Sequence, residues 1–296
     1  MQNEEIMRKI YQVATADKVD MGGVPILQSL PSRAAEQVDP FLLIHHWRET
    51  YPGGQHPSQV GVPPHPHKGF SPVTFIYEGA LRHLDSKGND SIVRGGGTQW
   101  MFSDAGIFHS ERPDMKLAKE GGKLELIQFW VNSPAAHKED TPQYIPLTAE
   151  DTPVVKSKDG KVSAGVVTGT LGDVEGPITP HSPMKIYRLT GESGGKLIFP
   201  IPSSYHALVY VLEGEIRIGD RELSGEQIGV FENSDEETIE MEWLESGRVL
   251  FLSGEPLKET VRSYGPFVMN DQRGIMNALQ EAQSGAWGEL EESWPE

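Results

Sequence analysis

Val73-Thr74-Phe75-Ile76-Tyr77-Glu78-Gly79 is echoed far downstream by Leu208-Val209-Tyr210-Val211-Leu212-Glu213-Gly214. Each is a run rich in β-branched and aromatic residues that stops at Glu-Gly, with another strand-like run after the turn. A second echo, Gly97-Thr98-Gln99 against Gly225-Glu226-Gln227, falls at nearly the same offset. Recurrence at a fixed spacing marks a repeated structural unit. At 296 residues the chain is long enough for two domains. The echoes therefore predict two similar β-domains in tandem.

Outward from these runs, residues 22–29, 98–102 and 123–132 read as further strands of the first half. The second half reads as strands at 162–168, 184–189, 207–212, 215–218, 228–231, 237–243 and 248–252. Gly53-Gly54, Gly95-Gly96-Gly97 and Gly121-Gly122 punctuate the first set as turns. The 32 glycines and 22 prolines are about 18% of the chain, against an average near 12%. Such a composition fits short strands and many turns. A polar stretch from Ser133 to Pro153, bearing Pro134, Pro142 and Pro146, reads as an interdomain linker. The expected domains are 1–140 and 141–296. One helix is expected near the end, capped by Asn270 or Asp271, with Ile275, Met276, Leu279 and Ala282 as its apolar stripe. The fold class is all-β, a pair of barrels or sandwiches with a short C-terminal helix.

The formal charge of −17 repels polyphosphate, which argues against direct binding to nucleic acid. Zero cysteine excludes disulfides, thiolate metal sites, iron–sulfur clusters and cysteine nucleophiles. The segment Met1 to Ile10 is charged and has no apolar core of the kind a secretory signal needs. Apolar runs such as Phe41-Leu42-Leu43-Ile44 are far too short to span a bilayer. A soluble, monomeric cytoplasmic protein without membrane contact is the expectation. No nucleophile elbow, phosphate-binding Lys loop or dinucleotide glycine fingerprint is present.

The chemistry-bearing motifs are His65-Pro66-His67 and His109-Ser110-Glu111. In extended chain, side chains at i and i+2 share a face, and Pro66 favours extension at His65. Two such segments side by side would bring His65, His67, His109 and Glu111 onto one ion. Three neutral imidazoles and a carboxylate suit a divalent transition metal such as iron, nickel, copper or manganese. Four ligands leave up to two cis positions of an octahedron for substrate or water. Moving the repeat offset into the second half puts Pro200, Pro202, Glu237 and Ile239 at the corresponding places, so that half is expected to hold no metal. His45, His46, His56, His83, His137 and His181 read mostly as surface groups or as groups supporting the ligands from behind, with His45 and His46 set to point one in and one out. Gln99, Trp100, Met101, Phe102 and Phe108 read as barrel core or as an apolar wall for a planar ligand.

These residues carry a family resemblance. Asp39-Pro-Phe-Leu-Leu43, Pro64-His-Pro-His-Lys-Gly-Phe70, Gln99-Trp-Met101, Gly106-Ile-Phe-His-Ser-Glu-Arg-Pro113 and Gly265-Pro-Phe-Val-Met-Asn270 resemble the pirin family of bicupins. The resemblance implies two tandem cupin-type β-barrels with one metal, in the N-terminal barrel. It implies His65, His67, His109 and Glu111 as the metal ligands, with iron the leading ion and nickel, copper, manganese or zinc the others. The activity it implies is a quercetinase-type dioxygenase acting on a small planar aromatic or enediol substrate and O2, with Glu111 as general base. The other function it implies is an iron-binding regulator acting through a protein partner. Three features depart from the pattern: no glutamate follows the His-x-His pair closely, Ile44-His45-His46-Trp47 stands where acidic residues are usual, and Tyr51 to Pro63 is long and rich in Gly and Pro. Glu111 supplies the carboxylate in place of that glutamate, as the resemblance implies, and the other two departures bear on the pocket mouth more than on the metal.

Overall fold

The computed structural model describes residues 7–294; of the Met1 to Ile10 segment, residues 1–6 lie outside that range. The chain divides into two compact units, Met1–His45 with Thr152–Leu257, and His46–Asp151 with Lys258–Glu296. They interleave in sequence, which differs from a single division after residue 140.

The first unit is one antiparallel sheet curled around an apolar core. Its strands run in the order Ile10–Thr15, Gln227–Phe231, His206–Ile218, Thr238–Gly254, Met184–Gly191, Val162–Thr168 and Val154–Lys156. The strands expected at 207–212 and 215–218 are one long strand, and so are those at 237–243 and 248–252. Both cross the barrel and bend at irregularities in their mutual register near Glu213 and Glu215. The alternation read from the sequence sets what is inside. Ala207, Val209 and Val211 join Val249 and Phe251 in the core with Tyr187, Phe199 and Trp243.

The N-terminal strand joins this unit because it completes the sheet. Ile10 pairs with Phe231 and Thr15 with Gln227. Arg8, wholly buried, anchors it by donating to the carbonyls of Pro202, Ser203, Tyr205, Ser234 and Glu236 at 2.8–3.4 Å. A buried guanidinium is tolerable only when its donors are satisfied in this way.

The second unit has two sheets. One contains Gln143–Leu147, Thr98–Phe102, Phe70–Glu78, Gly122–Asn132 and Phe41–Tyr51 in that order; the other contains Val62–His67, Ile107–Pro113, Ala80–Asp85 and Asp90–Arg94. The stretch read as a linker is built into the first of these: Ile145 pairs with Trp100 and Leu147 with Thr98. Pro146 stands within this strand opposite Gln99, and the strand is at the edge of its sheet, where a missing N–H is tolerated.

The chain's end packs on this second unit. The helix Gln272–Gln283 is capped by Asp271, whose side chain accepts from Gly274 N. It buries Ile275 and Ala278, whereas Met276 is exposed. Lys68, 1% exposed, donates to Glu139 and Glu281 at 2.9 Å each. Arg112 grips Glu292 with two 2.8 Å bonds. These charge-assisted pairs fasten the tail beside the strand that carries His109.

Candidate metal centre

Pro66 keeps Val62–His67 extended, and this strand pairs antiparallel with Ile107–Pro113. In their register His65 stands opposite His109, and His67 opposite Ile107. Residues directly opposite share a face, as do residues two apart on one strand. His65, His67 and His109 therefore converge, and a ring nitrogen from each lies within 4.8 Å of the others. His65 Nε2 is 3.1 Å from His67 Nε2 and 2.9 Å from His109 Nε2. His67 and His109 are buried and His65 is half-buried.

Protonation states follow from the surroundings. His65 Nδ1 lies 2.8 Å from the Pro63 carbonyl, which only accepts, so the proton sits on Nδ1 and the Nε2 lone pair faces inward. Burial pushes the His67 and His109 imidazoles well below their ordinary value, and the neighbouring imidazoles push the same way. Burial lowers His65 too, opposed by the Glu111 charge. All three are neutral at pH 7, the form that binds metal.

The residues fit a divalent transition metal. Ligands at about 2.0–2.1 Å from an ion lie about 3 Å apart when they subtend a right angle. His65 keeps that spacing to both neighbours. Its single Nε2 lone pair cannot satisfy two imidazole nitrogens by hydrogen bonding, whereas a cation between the rings satisfies all of them.

Glu111 follows two residues after His109, but an extra residue opposite it shifts the ladder so that Glu111 pairs with Val62. Its carboxylate accepts from Gln128 Nε2, 3.0 Å from each oxygen, and from Thr74 Oγ1 at 3.3 Å. Thr74 and Gln128 face each other across the Phe70–Glu78 and Gly122–Asn132 strands. The carboxylate is thus held by neutral donors, and the set of ligand atoms within 4.8 Å of one another comprises the three imidazoles without it.

The apolar wall differs from the expected one. Trp100, Met101 and Phe102 are buried in the core. Gln99 donates to the Leu81 carbonyl, and Phe108 lies against Trp287, centroids 5.8 Å apart. Phe70 and Trp130 stand beside the imidazoles instead. Their rings are 4.2 Å apart, and 5.0 and 5.6 Å from that of His67. Phe70 belongs to the His-Pro-His-Lys-Gly-Phe run; Trp130 has no motif, and only the fold brings it there.

His46 is buried on Glu125 at 3.1 Å, and His45 bonds Gln28; neither is in the cluster. His56 bonds Ser58 near the surface. His83 lies behind a ligand, one of the two places expected for these histidines: its Nδ1 is 3.4 Å from His109 Nδ1. Its signal was legible: His83-Leu84-Asp85 is another i, i+2 pair of polar groups, on a strand next to that of His109.

The chain has relatives among known proteins. The pirin family model matches residues 23–131, and the pirin C-terminal cupin domain matches 186–288. A pirin-like protein of Caulobacter vibrioides is 33% identical over 269 residues, covering 90% of this chain and 94% of its own. The crystal structure of quercetin 2,3-dioxygenase from Acinetobacter baumannii superposes with a TM-score of 0.89 at 30% identity, covering 96% of this chain and 99% of that one. A bacterial pirin from Escherichia coli, solved in complex with nickel(II), shares the fold at a TM-score of 0.65 and 19% identity, covering 83% and 100%. Among the described residues no helix is long and apolar enough to cross a membrane.

Proposed function

The chain belongs to the pirin family, and from that premise we propose that it is a metal-dependent dioxygenase of the quercetinase type. The observation that carries the reading is the convergence of the His65, His67 and His109 Nε2 atoms. In this reading the three imidazoles and Glu111 hold one divalent transition metal. Iron leads, with nickel, copper, manganese and zinc the other ions that imidazole accepts. When bound, the ion supplies Lewis acidity that lowers the pKa of an enolic hydroxyl.

The chain's own residues do the rest. Glu111, whose charge acts on His65, is in this reading the general base toward that hydroxyl. Gln128 and Thr74 hold it in place. Phe70 and Trp130 offer an aromatic face to a planar substrate, and apolar walls with few polar groups are the usual make-up of a small-molecule site. The substrates are a flavonol or related enediol and O2.

The test is oxygen uptake with a flavonol on metal-reconstituted protein, wild type beside Glu111→Gln. The variant keeps size and one acceptor oxygen but loses basicity. Its turnover is expected to fall by about 10²–10⁴-fold, with its metal retained on three histidines. Equal rates in the metallated proteins would remove Glu111 as the base. If the wild type consumes no oxygen with any flavonol or enediol, the dioxygenase reading fails, and an iron-binding regulator acting through a protein partner takes its place.

A further inference from the structure

Behind His109 lies a buried polar chain that the proposed chemistry does not use. Asp85, 4% exposed, accepts on Oδ1 from the backbone N–H groups of Lys87 (2.9 Å) and Asn89 (3.0 Å). Its Oδ2 accepts from Asn89 Nδ2 at 2.7 Å and lies 3.0 Å from His83 Nε2. The His83 ring is clamped flat on Tyr144, centroids 3.8 Å apart and planes 2° from parallel. Tyr144 is fixed in turn by Ser91, hydroxyl to hydroxyl at 2.7 Å. From this position His83 Nδ1 faces His109 Nδ1.

The direction of each bond follows from which atom can donate. An ionised carboxylate only accepts, so His83 carries its proton on Nε2 and presents a lone pair at Nδ1. His109 must then donate from its own Nδ1, which leaves its Nε2 as a lone pair pointing at His65 and His67. We infer that Asp85 and His83 are positioning residues that select the metal-binding tautomer of His109. The inference rests on His109 being a metal ligand, as proposed above, and is independent of any turnover.

Asp85→Asn reverses the chain with almost no change of shape. The two backbone N–H groups on Oδ1 hold the amide oxygen there, so the amide nitrogen takes the place of Oδ2 and donates to His83 Nε2, while the Asn89 amide turns over to present its oxygen in place of its nitrogen. His83 is driven to carry its proton on Nδ1 and donates to His109 Nδ1. His109 then carries its proton on Nε2, where the metal would bind. An Asp→Asn change that leaves geometry intact and costs activity through the wrong imidazole tautomer is known from the serine protease triad.

The experiment is 15N NMR of the histidine rings in the full-length metal-free protein, with zinc(II) titration against a competing chelator. Wild type is expected to show His109 protonated on Nδ1, and Asp85→Asn to show it on Nε2. Zinc affinity is expected to fall about 10–100-fold, the range for loss of a partner behind a ligand. His83→Asn, which keeps an acceptor near the Nδ1 position, is expected to retain more affinity than His83→Leu. A wild-type His109 protonated on Nε2 overturns the inference, even if no variant folds. So does equal zinc affinity in wild type and folded Asp85→Asn. If wild type binds no zinc, it is the metal reading that fails.

Discussion

One strand plan is filled in two ways. In the barrel of Thr152–Leu257, interior positions carry Val209, Val211, Phe199, Phe251 and Trp243, all at most 1% exposed. In the unit of His46–Asp151, interior positions carry His67, His109, Glu111, Thr74, His83 and Asp85, all likewise buried. Where the repeat offset matches His67 and Glu111 to Pro202 and Ile239, Ile239 is a buried core residue and Pro202 gives its carbonyl to Arg8. One barrel is a packed apolar interior; the other holds neutral imidazole nitrogens facing one another. Buried polar atoms without partners cost about 1–3 kcal/mol each. The second arrangement therefore makes physical sense as a site suited to an ion, and the first as scaffold.

The sharpest test of the scaffold half is Phe251→Ala. Phe251 sits among Phe199, Tyr187 and Phe231, at ring distances of 4.9, 5.5 and 6.4 Å. Its truncation is expected to cost about 3–5 kcal/mol in denaturant unfolding, with the metal content of the folded protein unchanged. A loss below about 1 kcal/mol would mean that this barrel is not the packed interior described.

Acid should lower stability through His45, on the strand Phe41–Tyr51. Burial lowers its pKa from 6.5 to about 4. Between those values the unfolded chain binds the proton and the folded chain does not, so stability falls as pH drops from about 6.5 towards 4 and then levels off. The expected loss is about 3 kcal/mol. His45→Asn should flatten that part of the stability–pH curve. An unchanged curve would leave His45 without this role.

A smaller effect is expected at Gly106. Its φ is +113°, and an added Cβ would lie 2.0 Å from Trp287 Cε2. Gly106→Ala combines backbone strain with displacement of the tail, a cost of about 1–3 kcal/mol. Limited proteolysis should then cut residues 284–294 faster than in wild type. Unchanged protection would show that Trp287 does not fasten the tail.

The sequence revealed repeating patterns and missed what depends on long-range pairing. The Glu-Gly echo marked Phe70–Glu78 and His206–Ile218, the two strands that anchor the units. The i, i+2 rule put His65 with His67, and His109 with Glu111, each pair on one face; the pairing of the two strands then brings the three imidazoles together. The same rule could not foresee the extra residue opposite Glu111, because local periodicity carries no information about where a ladder slips. Gln128, Thr74 and Trp130 were invisible for a related reason: they reach the site from another sheet. The interleaving of the units was equally hidden, since Ile10–Thr15 declares its partner, Gln227–Phe231, only through pairing more than two hundred residues away.

The central claim is that one barrel holds a metal through its three imidazoles and the other holds none. Elemental analysis of the purified protein, with anomalous diffraction to locate the ion, tests it most directly. The account predicts one transition-metal ion per chain, lying among His65, His67 and His109, with strong loss of metal in His67→Ala and His109→Ala. Full occupancy in both variants, or an ordered transition metal within Thr152–Leu257, would contradict it.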